Sequence, residues 1–182
     1  LAAILENDLK GVFKAWNQRD KEENIPPPWT GLRSRSRNYF AMRRSMENER
    51  TDRARLTLQR EFLHDLLTAL GYPFELSVVD LDDTTDRESI VLLGKIDRPD
   101  GAPELWIVEA FEPANESDDP LTLAPLASQY EQIPGGGDAP SVPETTFEEI
   151  ITRNVFGRDE PPRWVLLANA AHLVLIDRNK WN

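Results

Sequence analysis

The sequence predicts an α/β domain in which a central mixed sheet of about five strands is flanked by helices, with an extra N-terminal helical segment. Two long segments carry apolar residues at three- and four-residue steps, which is typical of helices that bury one face. Five short runs rich in Val, Ile and Leu are bounded by turn residues, which is typical of strands. The 182 residues, of which 40% are hydrophobic and 29% charged, suffice for one domain with a sizeable core.

The N-terminal part of the chain differs in pattern from the rest. Residues 1–21 predict a helix, and the prolines at 26–28 end it and form a stiff connector. Residues 30–46 are ambiguous, and the arginine-serine alternation within them fits an ordered loop as well as a helix. We therefore divide the chain into residues 1–50 (helix, proline-rich connector and arginine-rich segment) and an α/β domain of residues 51–182. The apolar stripe of the first helix comprises Leu5, Leu9, Val12, Phe13 and Trp16.

The first half of the α/β domain predicts a helix followed by strands. Leucines recur with helical spacing from Asp52 to Leu70, and Gly71 is a good stop signal. A turn at Pro99–Gly101 joins the second and third predicted strands in an antiparallel hairpin. That hairpin is apolar on both faces, so we expect it to be buried. The predicted strands are Phe74–Val79, Ser89–Asp97 and Glu104–Phe111.

The second half predicts two helices and a closing hairpin. Leu121–Ile133 has the pattern of a short helix, although Pro125 must lie in its first turn or break it. Thr145 or Thr146 caps a helix that runs to about Phe156. The closing strands, Arg163–Ala168 and His172–Asp177, flank a tight turn at residues 169–171.

Composition restricts the kinds of chemistry that the chain can carry. The absence of cysteine excludes disulfides and thiol chemistry, and two histidines disfavour a histidine-rich metal site. No apolar run has the length of a membrane span, and the first apolar stretch is interrupted too early for a signal peptide. We expect a cytoplasmic protein without membrane partners. Because the chain starts at Leu1 and stops directly after a strand-like run, we also expect a fragment of a longer protein.

Charge is distributed unevenly within a net charge of -11. Residues 33–60 hold nine arginines and three acidic residues, whereas residues 61–182 hold 8 basic and 24 acidic residues. Two interpretations stay open: a phosphate-binding patch, or a helix whose arginines pair with the protein's own acidic face. The candidate DNA-binding residues are Arg33, Arg35, Arg37, Arg43 and Arg44.

Three stretches resemble a known family: Phe62–Tyr72, Glu104–Phe111 and Trp164–Trp181. They are similar to the N-terminal region of large bacterial restriction-modification proteins. In those proteins a nuclease domain of the PD-(D/E)xK type precedes an adenine-specific DNA methyltransferase of the Eco57I type. The resemblance implies a restriction-endonuclease-like fold from about residue 56 onward. It also implies two partners, DNA and a C-terminal methyltransferase module of the same chain.

In that nuclease fold, an acid on one hairpin strand and an acid-x-lysine on the next hold Mg²⁺ and an attacking water. Matching the motif to residues 109–111 supplies Glu109 as catalytic acid and metal ligand but places Phe111 where lysine is required. The turn predicts the pairs Asp97–Glu104, Lys95–Trp106 and Leu92–Glu109, so Lys95 falls on the face opposite Glu109. We therefore expect a degenerate site that needs no cofactor, with Mg²⁺ only if Glu109 and Lys95 are active. Glu109 can equally be structural, hydrogen-bonded or paired with an arginine.

Other candidate sites carry weaker signals. Gln129 and Tyr130 resemble a glutamine and a tyrosine beside the nuclease site of related subunits, but capping or exposure explains them equally well. His64 fits an exposed helical residue, and the glycines at 135–137 fit a connector rather than a phosphate loop. An acidic cluster (Asp80, Asp82, Asp83 and Asp86) fits a solvated loop.

We expect a non-cutting domain of a restriction-modification or phage-defence protein that contacts DNA or packs against the methyltransferase. One alternative is an active Mg²⁺-dependent endonuclease that uses Glu109, Lys95 and an acid from residues 80–88. The other alternative is a protein-interaction module without a nucleic-acid role.

Overall fold

The five strands form one mixed sheet, as a computed structural model shows for residues 2–81, 88–113, 118–131, 133 and 141–181. The sheet has the order β1-β2-β3-β4-β5. β3 and β4 run parallel, and each other neighbouring pair is antiparallel. The predicted α/β class with a mixed five-stranded sheet is therefore confirmed. The strands are β1 (Ser77–Asp80), β2 (Ser89–Asp97), β3 (Pro103–Glu109), β4 (Trp164–Ala168) and β5 (Leu173–Asp177).

Three long helices precede the sheet: α1 (Ala2–Glu23), α2 (Pro28–Asn48) and α3 (Asp52–Leu70). Pro28 suits the start of α2, because a proline in the first helical turn loses no hydrogen bond and already has a helical φ. Residues 30–46 are thus helical, and the loop that the sequence left open for them does not form. Among the described residues, no helix is long and apolar enough to cross a membrane.

α2 packs against α3 through its own buried face. Tyr39, Met42 and Met46 follow one another at steps of three and four, so they lie on one side of the helix. α2 therefore shares a hydrophobic cluster with α3 of the α/β domain. The predicted domain boundary at residue 50 stays a prediction. The cluster comprises Met42, Met46 and Ala170, with Tyr39, Leu58 and Phe62 packed against it.

α3 begins and ends where the sequence predicts. The Thr51 hydroxyl accepts a hydrogen bond from the Ala54 amide at 3.3 Å, which caps the first turn. Gly71 takes the left-handed conformation with a φ of 83°, which glycine adopts without steric cost. The helix between them buries Leu63 and Leu67 against the sheet.

Apolar side chains cover both faces of the sheet. On one face, Leu105 and Ile107 of β3 pack with α3. On the other face, Trp106 and Val108 pack with α4 (Phe147–Glu149) and the π-helical turn Ile150–Val155 that continues it. The Thr146 hydroxyl caps α4, as predicted. The two faces alternate along β3, as side chains do on any strand.

Several predicted boundaries are corrected by the structure. The single helix predicted for Leu121–Ile133 is wrong, because this region holds two 3-10 turns separated by a buried Pro125 that cannot donate a backbone hydrogen bond. The first strand begins at Ser77, later than predicted, and β3 ends at Glu109. β2 and the closing hairpin lie where the sequence places them. The 3-10 turns are Pro120–Thr122 and Ala127–Gln129.

Gly94 gives a test of the packing between β2 and the segment before β1. A Cβ at Gly94 would overlap the backbone carbonyl oxygen of Pro73, which cannot move aside as a side chain can. We expect Gly94→Ala to lower the free energy of unfolding in urea by about 1–3 kcal/mol. Gly11→Ala is the control, since a Cβ at Gly11 in α1 meets nothing within 4 Å. Equal losses in the two variants would contradict the steric explanation.

Candidate functional site

Glu109 ends β3, the middle strand of the sheet, and its side chain is 0% exposed. It pairs with Ala168 of β4. It shares a face with Leu105 and Ile107, which lie four and two residues before it, and α3 covers that face. An isolated carboxylate would be very unfavourable there. The partners of Glu109 therefore decide its role.

Arg60 of α3 binds Glu109 with two parallel hydrogen bonds. Its Nε donates to Oε1 at 2.9 Å, and its Nη2 donates to Oε2 at 2.6 Å. The Arg60 side chain is 7% exposed, so both charges are withdrawn from water. Bidentate, charge-assisted bonds of this kind fix the orientation of both groups. The arginine pairing that the sequence left open for Glu109 is confirmed.

Gln129 joins the second 3-10 turn to the same pair. Its Nε2 donates to the Glu109 carbonyl oxygen at 3.0 Å and to Oε2 at 3.3 Å. Its Oε1 accepts from the Leu126 amide at 2.8 Å and so caps the turn, while its carbonyl oxygen accepts from Arg60 Nη2 at 2.7 Å. Gln129 is buried, so the exposure that the sequence allowed for it is wrong and the capping is right.

Tyr130 ties this turn to the sheet. Its hydroxyl donates to the Ser89 carbonyl oxygen at 2.6 Å, at the first residue of β2. Burial, and then the negative charges of Glu109 and Glu88, raise the pKa of Tyr130 above the ordinary value of 10.0. Tyr130 is therefore a neutral hydrogen-bond donor at physiological pH, and its phenolate form is disfavoured in the fold.

Lys95 does not join Glu109. It pairs with Trp106, as predicted, and Trp106 lies on the face of β3 opposite Glu109. The Lys95 side chain is 58% exposed and its Nζ lies 3.4 Å from Asp97 Oδ2. The two residues that the sequence proposed as a catalytic pair are therefore kept apart by the sheet.

The predicted register is wrong at both ends of the β2–β3 hairpin. The ladder is irregular between Leu92 and Gly94 and again between Ile96 and Asp97. An extra residue in one strand displaces the pairing beyond it, and such bulges leave little trace in a hydrophobic pattern. The observed partners are Val108 for Leu92 and Pro103 for Asp97, in place of Glu109 and Glu104.

The surroundings of Glu109 do not fit Mg²⁺. Both carboxylate oxygens accept hydrogen bonds from Arg60, and its guanidinium puts positive charge where the ion would bind. Mg²⁺ requires oxygen ligands in nearly octahedral geometry. Within the described parts of the chain, no three Asp, Glu, His or Cys side chains form a group that could hold a metal ion.

Two other predicted candidates lie partly or wholly outside the described residues. These are the acidic residues at 82, 83 and 86 and the glycines at 135–137. Asp80 is described and exposed, and its carbonyl oxygen accepts from Arg158 Nη1 at 2.7 Å. His64 is exposed on α3, as predicted, with its ring against Phe74 at 5.1 Å between centroids.

Two of the nine arginines at residues 33–60, which we call the arginine block, have structural roles. Arg55 of α3 donates to the carbonyl oxygens of Met46 at 3.3 Å and Glu49 at 2.7 Å, at the end of α2. It also donates to the Pro113 carbonyl oxygen at 2.9 Å. Arg55 and Arg60 therefore connect α3 to neighbouring segments. Counting charges along the sequence could not distinguish these structural arginines from the exposed ones.

Another part of the block lies on the outside of α2. Arg33, Arg37 and Arg44 are exposed, and helical geometry puts them within about 40° of one another around the axis. Within the described ranges, none of the three forms an ion pair with a carboxylate. Arg35 instead donates to the Gly31 carbonyl oxygen at 3.2 Å, and Arg43 is half-buried. We call the surface of Arg33, Arg37, Phe40 and Arg44 the basic face of α2.

Phe40 lies within the basic face and is 69% exposed. Its ring contacts Tyr39 at 5.2 Å between centroids, and Tyr39 contacts Phe62 of α3 at 5.4 Å. Sequence reasoning missed Phe40 because residues 30–46 had no assigned secondary structure and hence no faces. A helical projection of Pro28–Asn48 is the signal that would have found it.

Removing one partner of the buried pair should harm stability more than removing both. Glu109→Ala leaves the Arg60 guanidinium buried without its anion, and we expect a loss of about 3–5 kcal/mol in urea denaturation. Combining Arg60→Met with Glu109→Leu removes both charges and should recover part of that loss. Arg98→Ala, which breaks an exposed pair with Glu104, should cost less than about 1 kcal/mol. A double variant no more stable than Glu109→Ala would contradict this account.

Tyr130 should make stability fall in alkali. Its raised pKa means that the unfolded chain releases the phenolic proton first as pH rises above 10.0, which favours unfolding. At pH 8 we expect Tyr130→Phe to be less stable than the parent by about 0.5–1.5 kcal/mol, the contribution of one hydrogen bond. This difference should shrink as the pH of the urea titration is raised past 10.0. A difference that does not change with pH would exclude Tyr130 as its source.

Comparison with known proteins identifies no family for this chain. No family model, curated protein or solved structure compared with the chain matches it. Its function is therefore inferred from the residues, contacts and charges of the chain itself.

Proposed function

We propose that this chain is a non-cleaving, nuclease-like domain that binds DNA through the basic face of α2. The Arg60–Glu109 pair is the observation that supports the absence of cleavage. The nuclease resemblance gives Glu109 the role of metal-binding acid, yet its two oxygens are held by a buried guanidinium. A carboxylate that binds a guanidinium through both oxygens links the helix to the sheet and is not available to bind a metal ion.

The placement of the resembling stretches supports a nuclease-like fold. They fall on α3, on β3 and on the β4–β5 hairpin. These elements meet around Glu109, since Arg60 comes from α3 and the strand partner Ala168 comes from β4. A restriction-modification or phage-defence context, and a methyltransferase module as partner, rest on the resemblance alone and remain part of the proposal.

Electrostatics favour a local DNA contact despite the net charge of -11. α2 holds five arginines and one glutamate, and Arg33 and Arg44 lie about 16 Å apart along the helix axis. Exposed charges are screened beyond about 8 Å at physiological ionic strength. The basic face therefore acts on a nearby phosphate more strongly than the acidic remainder of the chain does. The planar fork of arginine suits phosphate oxygens.

The two alternatives make different demands on the site. An active endonuclease needs Lys95 and a second acid beside Glu109, but Lys95 lies on the other face of the sheet. A protein-interaction module would use the acidic surface of residues 61–182, whose balance is -16. DNA binding that weakens with salt distinguishes the proposal from this second alternative.

DNA binding is tested by the anisotropy of a labelled duplex over a series of salt concentrations. We expect Arg37→Ala with Arg44→Ala to reduce affinity and to lower the slope of log K against log salt by about 0.9 for each phosphate that is no longer neutralised. The control is Arg98→Ala with Arg153→Ala, which removes two exposed arginines elsewhere on the surface. Equal effects in both pairs would overturn the role of the basic face. No binding of duplex or of single-stranded DNA at low salt would overturn the DNA-binding proposal.

The same protein samples test whether the domain cuts. Supercoiled plasmid incubated with Mg²⁺ or Mn²⁺ should stay intact with the parent chain. The comparison variant is Glu109→Gln, which keeps the shape of the side chain. Nicking by the parent that disappears in a folded Glu109→Gln sample would show that the site is active and would refute the non-cleaving proposal.

A further inference from the structure

We infer that the basic face of α2 takes single-stranded rather than duplex DNA, with Phe40 stacking on an unpaired base. This inference rests on the proposed function, because it names the substrate of the same surface. It is carried by an exposed aromatic ring placed between cations.

The four residues of the basic face follow the spacing i, i+4, i+7 and i+11. At about 100° per residue they fall within about 60° of one another around the helix. Phe40 lies between Arg37 and Arg44 along the axis, about 4.5 Å from the first and 6 Å from the second. A ligand that lies along α2 therefore meets positive charge on each side of the ring.

The exposure of Phe40 is not explained by the packing of the domain. Phe111 and Phe147 are each 1% exposed, so the core has taken up rings of the same size. Among the described residues, the other exposed large apolar side chains lie on α1, on the connector after it and on β5. They are Leu9, Val12, Phe13, Ile25, Leu173 and Leu175. Phe40 is therefore the one large apolar side chain that the described part of α2 exposes, and the cations beside it suit a flat, anionic ligand.

Nucleic acid combines a flat ring with a phosphate in each nucleotide. In a duplex the bases stack on one another and expose only their edges in the grooves. In a single strand each base can offer a face, and stacking on an aromatic side chain is the usual way in which proteins bind single strands. At roughly 3.4 Å per stacked nucleotide, the 16 Å between Arg33 and Arg44 corresponds to about five nucleotides.

The ring of Phe40 is held from the protein side. Its contact with Tyr39, and the contact of Tyr39 with Phe62 of α3, form a chain of aromatic rings from the surface into the packed interface of α2 and α3. A ring that is already oriented loses less entropy when a base stacks on it.

The test measures the affinity of the full chain for a labelled oligothymidylate of about twelve nucleotides and for a duplex of the same length. We expect the parent to bind the single strand more tightly. Phe40→Ala should weaken single-strand binding at least about fivefold and leave duplex binding nearly unchanged. Phe40→Trp should restore single-strand binding, whereas Phe40→Leu, which is apolar without a stacking ring, should not.

Each other outcome decides against the inference. Tighter binding of the duplex, or equal losses for both probes in Phe40→Ala, would overturn the single-strand inference and leave the DNA-binding proposal standing. No binding of either probe by the parent would overturn both. Sedimentation of the chain with vesicles of anionic phospholipid, in the absence of DNA binding, would assign the same face to a membrane surface and would also refute both.

Discussion

The buried pair of Arg60 and Glu109 is the interaction on which the rest of the structure depends. Moving either ion from water into the interior costs several kcal/mol, and the penalty is offset only where the geometry is good and the remaining donors and acceptors find partners. Here the carboxylate accepts from Arg60 and Gln129, and Arg60 also donates to a backbone carbonyl oxygen, while its buried Nη1 meets no acceptor among the described residues. One ion pair thereby joins a helix, the central strand and the turn at Ala127–Gln129.

The same pair determines whether Glu109, at the centre of the sheet, is available to bind a metal ion. A carboxylate that binds a metal must present lone pairs to it, and a carboxylate that neutralises a buried guanidinium uses the same lone pairs. The neutral Tyr130 hydroxyl and the distant Lys95 ammonium reinforce the structural role, because neither supplies charge to a reacting group beside Glu109. The contacts of Glu109 are therefore those of a structural cross-link.

The sequence allowed more of the fold to be predicted than of the candidate site. The α/β class, α3 with its caps and the closing hairpin follow from local signals such as Thr51, Gly71 and runs of branched apolar residues. The pairing of Arg60 with Glu109 joins residues 49 positions apart, so the chain pattern could suggest an arginine partner without identifying it. The bulge in β2 and the separate 3-10 turns depend on tertiary packing, which a hydrophobic pattern does not encode.

The contacts of Arg55 have a consequence for the geometry of the whole protein. Its guanidinium joins the last turn of α2 to α3 and to the segment that follows β3. α2 is therefore not an independent arm, and its direction is set relative to the sheet. Any ligand bound along α2 would be held at a defined angle to the strands. Arg55 thus contributes to fixing the direction of α2, because one side chain binds the end of α2 and the segment after β3 together.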